Sequence, residues 1–176
     1  MISYKRASLK VELEQILQLQ YDNLPSVVSE ETKKKEGFVT VHHDFNILDR
    51  MNEVCPHIIA TVDEKVVGYA LCMHPKFGNE IAVLGPMFTE IQRILGVKEK
   101  FIAMGQVCVD KAYRRKGVFR ELYSYMLEEI QPEFSCIITE VDIQNIRSLE
   151  AHYAVGFKLL SRYQSGGHEW ELIRLG

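Results

Sequence analysis

The chain is poor in features that would commit it to a membrane, a disulfide framework or nucleic acid. No apolar run in its 176 residues approaches the roughly 20 needed to span a bilayer. The opening Met1-Ile-Ser-Tyr-Lys-Arg carries charge with no apolar stretch behind it, so it does not read as a signal peptide, and a cytoplasmic location is expected. Cys55, Cys72, Cys108 and Cys136 are scattered without a Cys-x-x-Cys pair, and the last three lie inside apolar, strand-like runs. They read as small buried hydrophobes in a reducing compartment, and neither a disulfide nor a metal site is expected. Nor does positive charge dominate: 21 Lys and Arg stand against 24 Asp and Glu, a formal net charge of -3. With no longer basic stripe, that balance argues against nucleic-acid binding. Internal repeats, low-complexity tracts and linkers are absent too, and the length suits one domain over residues 1–176.

What is present is a regular alternation of strands and helices. Residues 2–9 alternate weakly, as an edge strand would. Residues 10–21 carry Val11, Leu13, Ile16, Leu17 and Leu19 near helical spacing, with Pro25 as a breaker. Ser29 and Gly37 bracket a short helix, and 42–51 suggest another before Pro56. Residues 57–62 and 66–73, joined by Asp-Glu-Lys, read as a β-hairpin. Residues 81–84 are a strand extension or part of a loop. Pro86 opens a helix over 88–95 that Gly96 ends. Residues 101–109 and 134–143 are strands. Between them 118–130 forms an amphipathic helix with Phe119, Leu122, Tyr123, Met126, Leu127 and Ile130 on one face. A helix over 145–155 with Gly156 at its C-cap leads to a terminal hairpin, 157–163 and 168–175. The expected fold is α/β: one mixed sheet with helices on both faces.

The stretch CVDKAYRRKGVFRELYSYM, residues 108–126, sets Arg114, Arg115 and Lys116 directly before Gly117 at the seam between strand and helix. The first amides of a helix point outward unpaired, and the dipole adds partial positive charge there. That end attracts phosphates, an amide-rich turn cradles them, and glycine permits a positive φ or a close backbone approach. The spacing is not that of a P-loop. Taken alone, the tripeptide fits a pyrophosphate site and a solvated basic turn about equally.

Its surroundings tip the balance. Val107-Cys108-Val109-Asp110 followed by Arg114-Arg115-Lys116-Gly117-Val118 resembles the acyl-CoA signature of the GNAT superfamily of N-acyltransferases, Gln/Arg-x-x-Gly-x-Gly/Ala between a central strand and a helix. Arg114 and Gly117 match. The last position, usually small, is Phe119, a departure that crowds the turn but leaves its amide donors available. Downstream, VDIQNIRSLEAHYAVGFKLL resembles the later family segment, with Asn145, Ser148, Tyr153, Gly156 and Phe157 in the matching places. The likeness covers 101–175 in sequence and 2–73 only in topology.

The resemblance implies a GNAT-like fold, a central mixed but mostly antiparallel sheet of about six to seven strands. It implies an acyltransferase that moves the acetyl group of acetyl-CoA to a primary amine by direct attack through a tetrahedral intermediate. The backbone of Val107, Cys108 and Val109 would pair with the pantetheine arm as an added strand does, and an N–H there would stabilise the oxyanion. Amides over Arg115, Lys116, Gly117, Val118 and Phe119, with Arg114 beside them, would hold the pyrophosphate. Asn145 would bond the arm from the far side and also serve as an N-cap, with Ser148 a minor contact. Tyr153 matches the family position for the acid that protonates the departing thiolate.

No carboxylate occupies the early central strand, which reads Ala103-Met104-Gly105-Gln106. Glu140, Asp142, His42 and His43 are candidates for a general base, and a water relay is another. The segments 30–51 and 85–96 are expected to build the acceptor site, for a small amine, a peptide N-terminus or a lysine. The expected assembly is a monomer or homodimer with neither nucleic acid nor membrane as partner. An acyl-CoA sensor without turnover is the alternative; it would dispense with Tyr153.

Overall fold

The computed structural model describes residues 1–24, 27, 41–96 and 99–176. The expected helix between Ser29 and Gly37 lies outside the described residues. Elsewhere the chain runs β1 (Ser3–Arg6), α1 (Lys10–Tyr21), α2 (Phe45–Val54), β2 (Ile58–Val62), β3 (Lys65–Met73), α3 (Gly85–Leu95), β4 (Phe101–Val109), α4 (Val118–Glu129), β5 (Cys136–Asp142), α5 (Ile146–Val155), β6 (Lys158–Ser165) and β7 (His168–Leu175). The seven strands form one sheet in the order β1-β2-β3-β4-β5-β7-β6. Only β4 and β5 pair in parallel, so the sheet is mixed and mostly antiparallel, as the family resemblance implies. Among the described residues, no helix is long and apolar enough to cross a membrane.

Two apolar layers sandwich the sheet. Leu13 and Ile16 of α1, Leu48 and Met51 of α2, and Met87 and Ile91 of α3 pack with Ile59, Tyr69, Leu71 and Ile138 on one face. Val118, Leu122, Tyr123 and Met126 of α4 pack with Ala60, Ala70, Ile102, Ile137 and Ile173 on the other, with Leu149 and Val155 of α5 beside them. Alternation along each strand divides the side chains between these layers.

Local chemistry sets the element ends. α2 starts three residues later than the expected 42–51, because the Asp44 carboxylate caps it by accepting from the Ile47 amide at 2.9 Å. Residues 81–84 supply a 3-10 turn, Ala82–Leu84, rather than a strand extension. The β2–β3 connection shrinks to Asp63 and Glu64, both at positive φ, which matches the twist a two-residue hairpin loop needs. Gly166 and Gly167 do the same between β6 and β7.

Two irregularities in β4 govern the centre of the sheet. Ala70 pairs with Val107 but Cys72 with Met104, so β4 carries one extra residue, a bulge at Gly105 and Gln106. On its other side β4 pairs with β5 only through Phe101–Cys136, Ile102–Ile137 and Ala103–Ile138. The Thr139 hydroxyl donates to the Met104 carbonyl at 3.0 Å. Beyond that bond the two strands part, although β4 continues to Val109 and β5 to Asp142.

Candidate active site

The turn leaving β4 is fixed before any ligand arrives. The Asp110 amide donates to the Val67 carbonyl and its carboxylate accepts from the Ala112 amide, each at 2.8 Å. After the 3-10 turn Lys111–Tyr113, Arg115 sits at φ 61 and Gly117 at φ 84. Gly117 is the N-cap of α4, and no side chain caps that end. A Cβ on Gly117 would meet nothing within 4 Å, so the demand for glycine is conformational rather than steric. The amides opening α4 therefore face outward, with the helix dipole behind them.

They face a cavity of about 340 Å³ lying between α4, α5 and the unpaired end of β4. Val107, Cys108, Val109, Arg114, Arg115, Gly117, Val118, Phe119, Asn145 and Ser148 all line it. Lys116 does not; its ammonium stands 5.1 Å over the Tyr113 ring. Arg114 is not simply a phosphate ligand either. Its Nε donates to the Val109 carbonyl at 2.9 Å and its Nη2 to Asn23 Oδ1 at 2.6 Å, clasping the end of α1 to the end of β4. The Phe119 ring packs edge-on against Tyr123 and His152, each at 5.1 Å. Asn145 caps α5, its carboxamide oxygen accepting from the Ser148 amide at 3.4 Å.

Tyr153 stands apart from these residues. It is absent from the cavity wall, which α5 builds from Arg147, Ser148, Ala151, Ala154 and Val155. Those positions share one helical face, and 153 lies on the reverse. The Tyr153 hydroxyl donates to Glu171 of β7, whose other carboxylate oxygen accepts from Arg162 Nε and Nη2 at 2.9 and 2.6 Å. Burial first, then the Glu171 carboxylate, pushes this phenol up to about 12. The neighbouring His152 faces inward instead. Its Nδ1 lies 2.7 Å from the Ser148 carbonyl, which assigns the proton to Nδ1 and leaves Nε2 to accept from the Tyr123 hydroxyl at 2.7 Å. Burial lowers it to about 4.

Sequence reading also missed the cations of Arg120 and Arg147 and the small walls of Ala151 and Ala154. The i, i+3, i+4 and i+7 spacing from Arg147 and Ser148 is the signal that could have found the α5 wall.

The other face of the gap holds the remaining candidates. Gln106, on the bulge, has both ends engaged: its oxygen accepts from Tyr69 and its nitrogen donates to the Val41 carbonyl, each at 2.5 Å. His43 is buried against Gln20, its ring lowered to about 4 chiefly by burial. His42 is exposed. Asp142 accepts from the Gln144 amide and pairs with His168 at 2.7 Å. Glu140 is partly buried and takes its hydrogen bond from Tyr163 of β6.

Residues 13–157 match the acetyltransferase (GNAT) family. No curated protein matches the sequence. The fold is similar to the ribosomal-protein-S18-alanine N-acetyltransferase of Escherichia coli, with TM-score 0.63 and 14% identity over 99% of this chain and 93% of that one. YncA of Salmonella typhimurium, solved with its cofactor acetyl-CoA, gives 0.65 and 15% over 99% and 92%. Arabidopsis thaliana NAA60, in complex with a bisubstrate analogue, gives 0.65 and 13% over 99% and 97%.

Proposed function

Because this chain belongs to the acetyltransferase (GNAT) family, whose members use acetyl-CoA, we propose that it transfers the acetyl group of acetyl-CoA directly to a primary amine. One observation carries the reading: the uncapped mouth of α4 and the unpaired end of β4 open into the same cavity. The amides over Arg115–Phe119 hold the pyrophosphate, with Arg114 and Lys116 adding positive potential around the turn. The backbone of Val107, Cys108 and Val109, freed from β5, pairs with the pantetheine arm as a partner strand would. Asn145 and Ser148 meet the arm from α5. A β4 amide at the gap polarises the thioester carbonyl and takes up its developing oxyanion charge.

Tyr153 has no part in this scheme, and none is needed. A thiol with an ordinary value near 8.5 is a tolerable leaving group, and the attacking nitrogen itself brings the proton that the thiolate takes. The presence of Tyr153 therefore no longer separates an enzyme from a sensor.

Calorimetry with coenzyme A and acetyl-CoA, followed by thiol release against a panel of primary amines, tests the proposal. Binding heat with both and amine-dependent release are expected. Absence of heat overturns the cavity assignment, and heat without release across the panel overturns the transfer in favour of a sensor.

A further inference from the structure

The four cysteines fall into two sets that the sheet keeps apart. Cys55 and Cys72 pack in the layer of α4, whereas Cys108 and Cys136 pack in the layer of α1, α2 and α3. Cys55 is the C-cap of α2, its amide donating to the Met51 carbonyl at 3.0 Å. Cys72 lies near the end of β3, where it pairs with Met104 of β4. The two come together because α2 enters β2 alongside β3. The β2–β3 ladder stops at the Ile58–Ala70 pair. Before it, Pro56 has no N–H to offer. The His57 amide donates to Asn52 Oδ1 at 2.8 Å, and the Cys72 amide donates to His57 Nδ1 at 3.1 Å. The residues leaving α2 are thereby held against Cys72, and the two thiols share a hydrogen bond.

The two sulfurs are not equivalent. Cys72 is fully buried, while Cys55 is 6% exposed. The hydrogen bond from Cys72, helped by the Arg6 guanidinium, draws Cys55 below the ordinary thiol value against burial and Glu133. The same bond, then burial, holds Cys72 well above it. Arg6 is itself fixed, its Nε 2.6 Å from the Glu129 carboxylate. Since the thiolate is the reactive form, Cys55 has both the acidity and the access, and Cys72 stands ready beside it. The other pair differs: burial pushes the Cys108 thiol up to about 12 and raises Cys136 as well.

We propose that Cys55 and Cys72 form a reversible disulfide when the protein meets a peroxide, Cys55 attacking and Cys72 resolving. The Cys55 thiolate attacks one oxygen of hydrogen peroxide. An S–O bond forms, O–O breaks, and the departing hydroxide takes up the proton that Cys55 gave. The Cys72 sulfur then attacks the Cys55 sulfenic acid. S–S forms, S–O breaks, and the hydroxyl leaves with the Cys72 proton as water. Two thiols are oxidised and one peroxide is reduced to two waters. A thiol such as glutathione or dithiothreitol reverses the bond by exchange. In a reducing compartment the pair stays reduced until an oxidant reaches it. The disulfide fastens the end of α2 to β3 between Leu71 and Met73, the residues that back Gly105 of the β4 bulge. Neither cysteine lines the cavity at α4, so the proposal does not depend on acetyl transfer.

The test exposes native protein to hydrogen peroxide, alkylates the remaining thiols, and reads intact mass and linked peptides. Cys55→Ser, Cys72→Ser and a Cys108→Ser, Cys136→Ser double variant run alongside. Wild type and the double variant should each lose two hydrogens, yield a linked peptide pair holding Cys55 and Cys72, and regain the starting mass with dithiothreitol. Cys72→Ser should instead gain an oxygen at Cys55 that dimedone traps, because no resolving thiol discharges it. Cys55→Ser should leave Cys72 reduced. Wild type whose thiols all stay reduced, or that gains oxygen without a link, or that links only through Cys108 or Cys136, overturns the proposal. A Cys55–Cys72 link that forms only after unfolding in urea overturns it too. Dimedone trapped at Cys72 of Cys55→Ser, with Cys55 of Cys72→Ser untouched, overturns the order of attack. Should a serine variant fail to fold, the peptide map of native wild type decides.

Discussion

The two sides of the β4–β5 gap are built from different materials. The α4–α5 side is mostly backbone: an uncapped helix mouth, an unpaired strand end, and a wall of serine and alanine. The opposite side is made of buried polar side chains, each held by a partner from another element: Gln106 by Tyr69 and Val41, His43 by Gln20, Glu140 by Tyr163. A backbone site depends on conformation, so changes of φ should damage it more than side-chain truncations do. A side-chain site depends on burial, so protonation should damage it first.

The largest expected effect is at Gly117. Gly117→Glu places a Cβ in the left-handed region, at a cost of about 1–2 kcal/mol, and a carboxylate in the anion site. Acetyl-CoA affinity should fall by more than about 100-fold, or roughly 2.7 kcal/mol. Gly117→Asn, which tolerates the same φ, should retain most of it. Truncating Arg115 should cost less than Gly117→Glu in the same calorimetric titration. The reverse order would mean that side chains, not amides, define the phosphate site.

Acid should act next, through three buried imidazoles. His57 accepts from the Cys72 amide at 3.1 Å and lies 3.1 Å from the Leu48 carbonyl, and burial lowers it to about 3. His43 and His152 are lowered to about 4. A histidine depressed in the folded state lends its stabilisation above the unfolded value of 6.5, and loses it as pH falls toward the folded value. Each unit below 6.5 should cost on the order of 1.4 kcal/mol per such histidine. Urea midpoints should therefore decline steadily from pH 6.5 to 4; a flat profile would mean that these rings reach water. Glu140 runs the other way: its raised value favours the folded state at low pH and weighs against it as pH rises from 4.5 toward 8.

Arg114 sharpens the contrast from the cavity side. Arg114→Ala removes donors to the Val109 carbonyl and Asn23 and should lower stability by about 2 kcal/mol, within the range for hydrogen bonds from charged groups. Arg114→Lys should not restore it, because one ammonium lacks the guanidinium fork. Recovery in the lysine variant, read from the urea midpoint, would show that charge rather than the clasp matters there.

The same division explains what could be read from sequence. β4 and α1 were legible because their apolar patterns are decisive, and the Gly117 turn because only glycine takes its φ cheaply. The start of α2 was misplaced because His42 and His43 extend a plausible pattern, while Asp44 holds the cap. The isolation of Glu140 is a tertiary fact: it depends on where β4 leaves β5 and on what lies across β6 and β7. No local pattern encodes it.

Tyr153 offers the smallest effect and the cleanest check on helical phase. One residue rotates about 100° around an α-helix, so a one-place difference decides whether a side chain meets the cavity or the outer sheet. Ser148, Ala151 and Val155 fix the cavity phase, and 153 falls outside it. Tyr153→Phe removes one donor to Glu171, which keeps both bonds from Arg162. Stability should fall by about 1 kcal/mol, the usual net worth of one hydrogen bond, and kcat and acetyl-CoA affinity should both stay within about twofold of wild type, since the lost hydroxyl touches neither side of the gap. A fall in kcat of tenfold or more with unchanged affinity would restore the phenol to the proton path and break the assignment of the α5 wall.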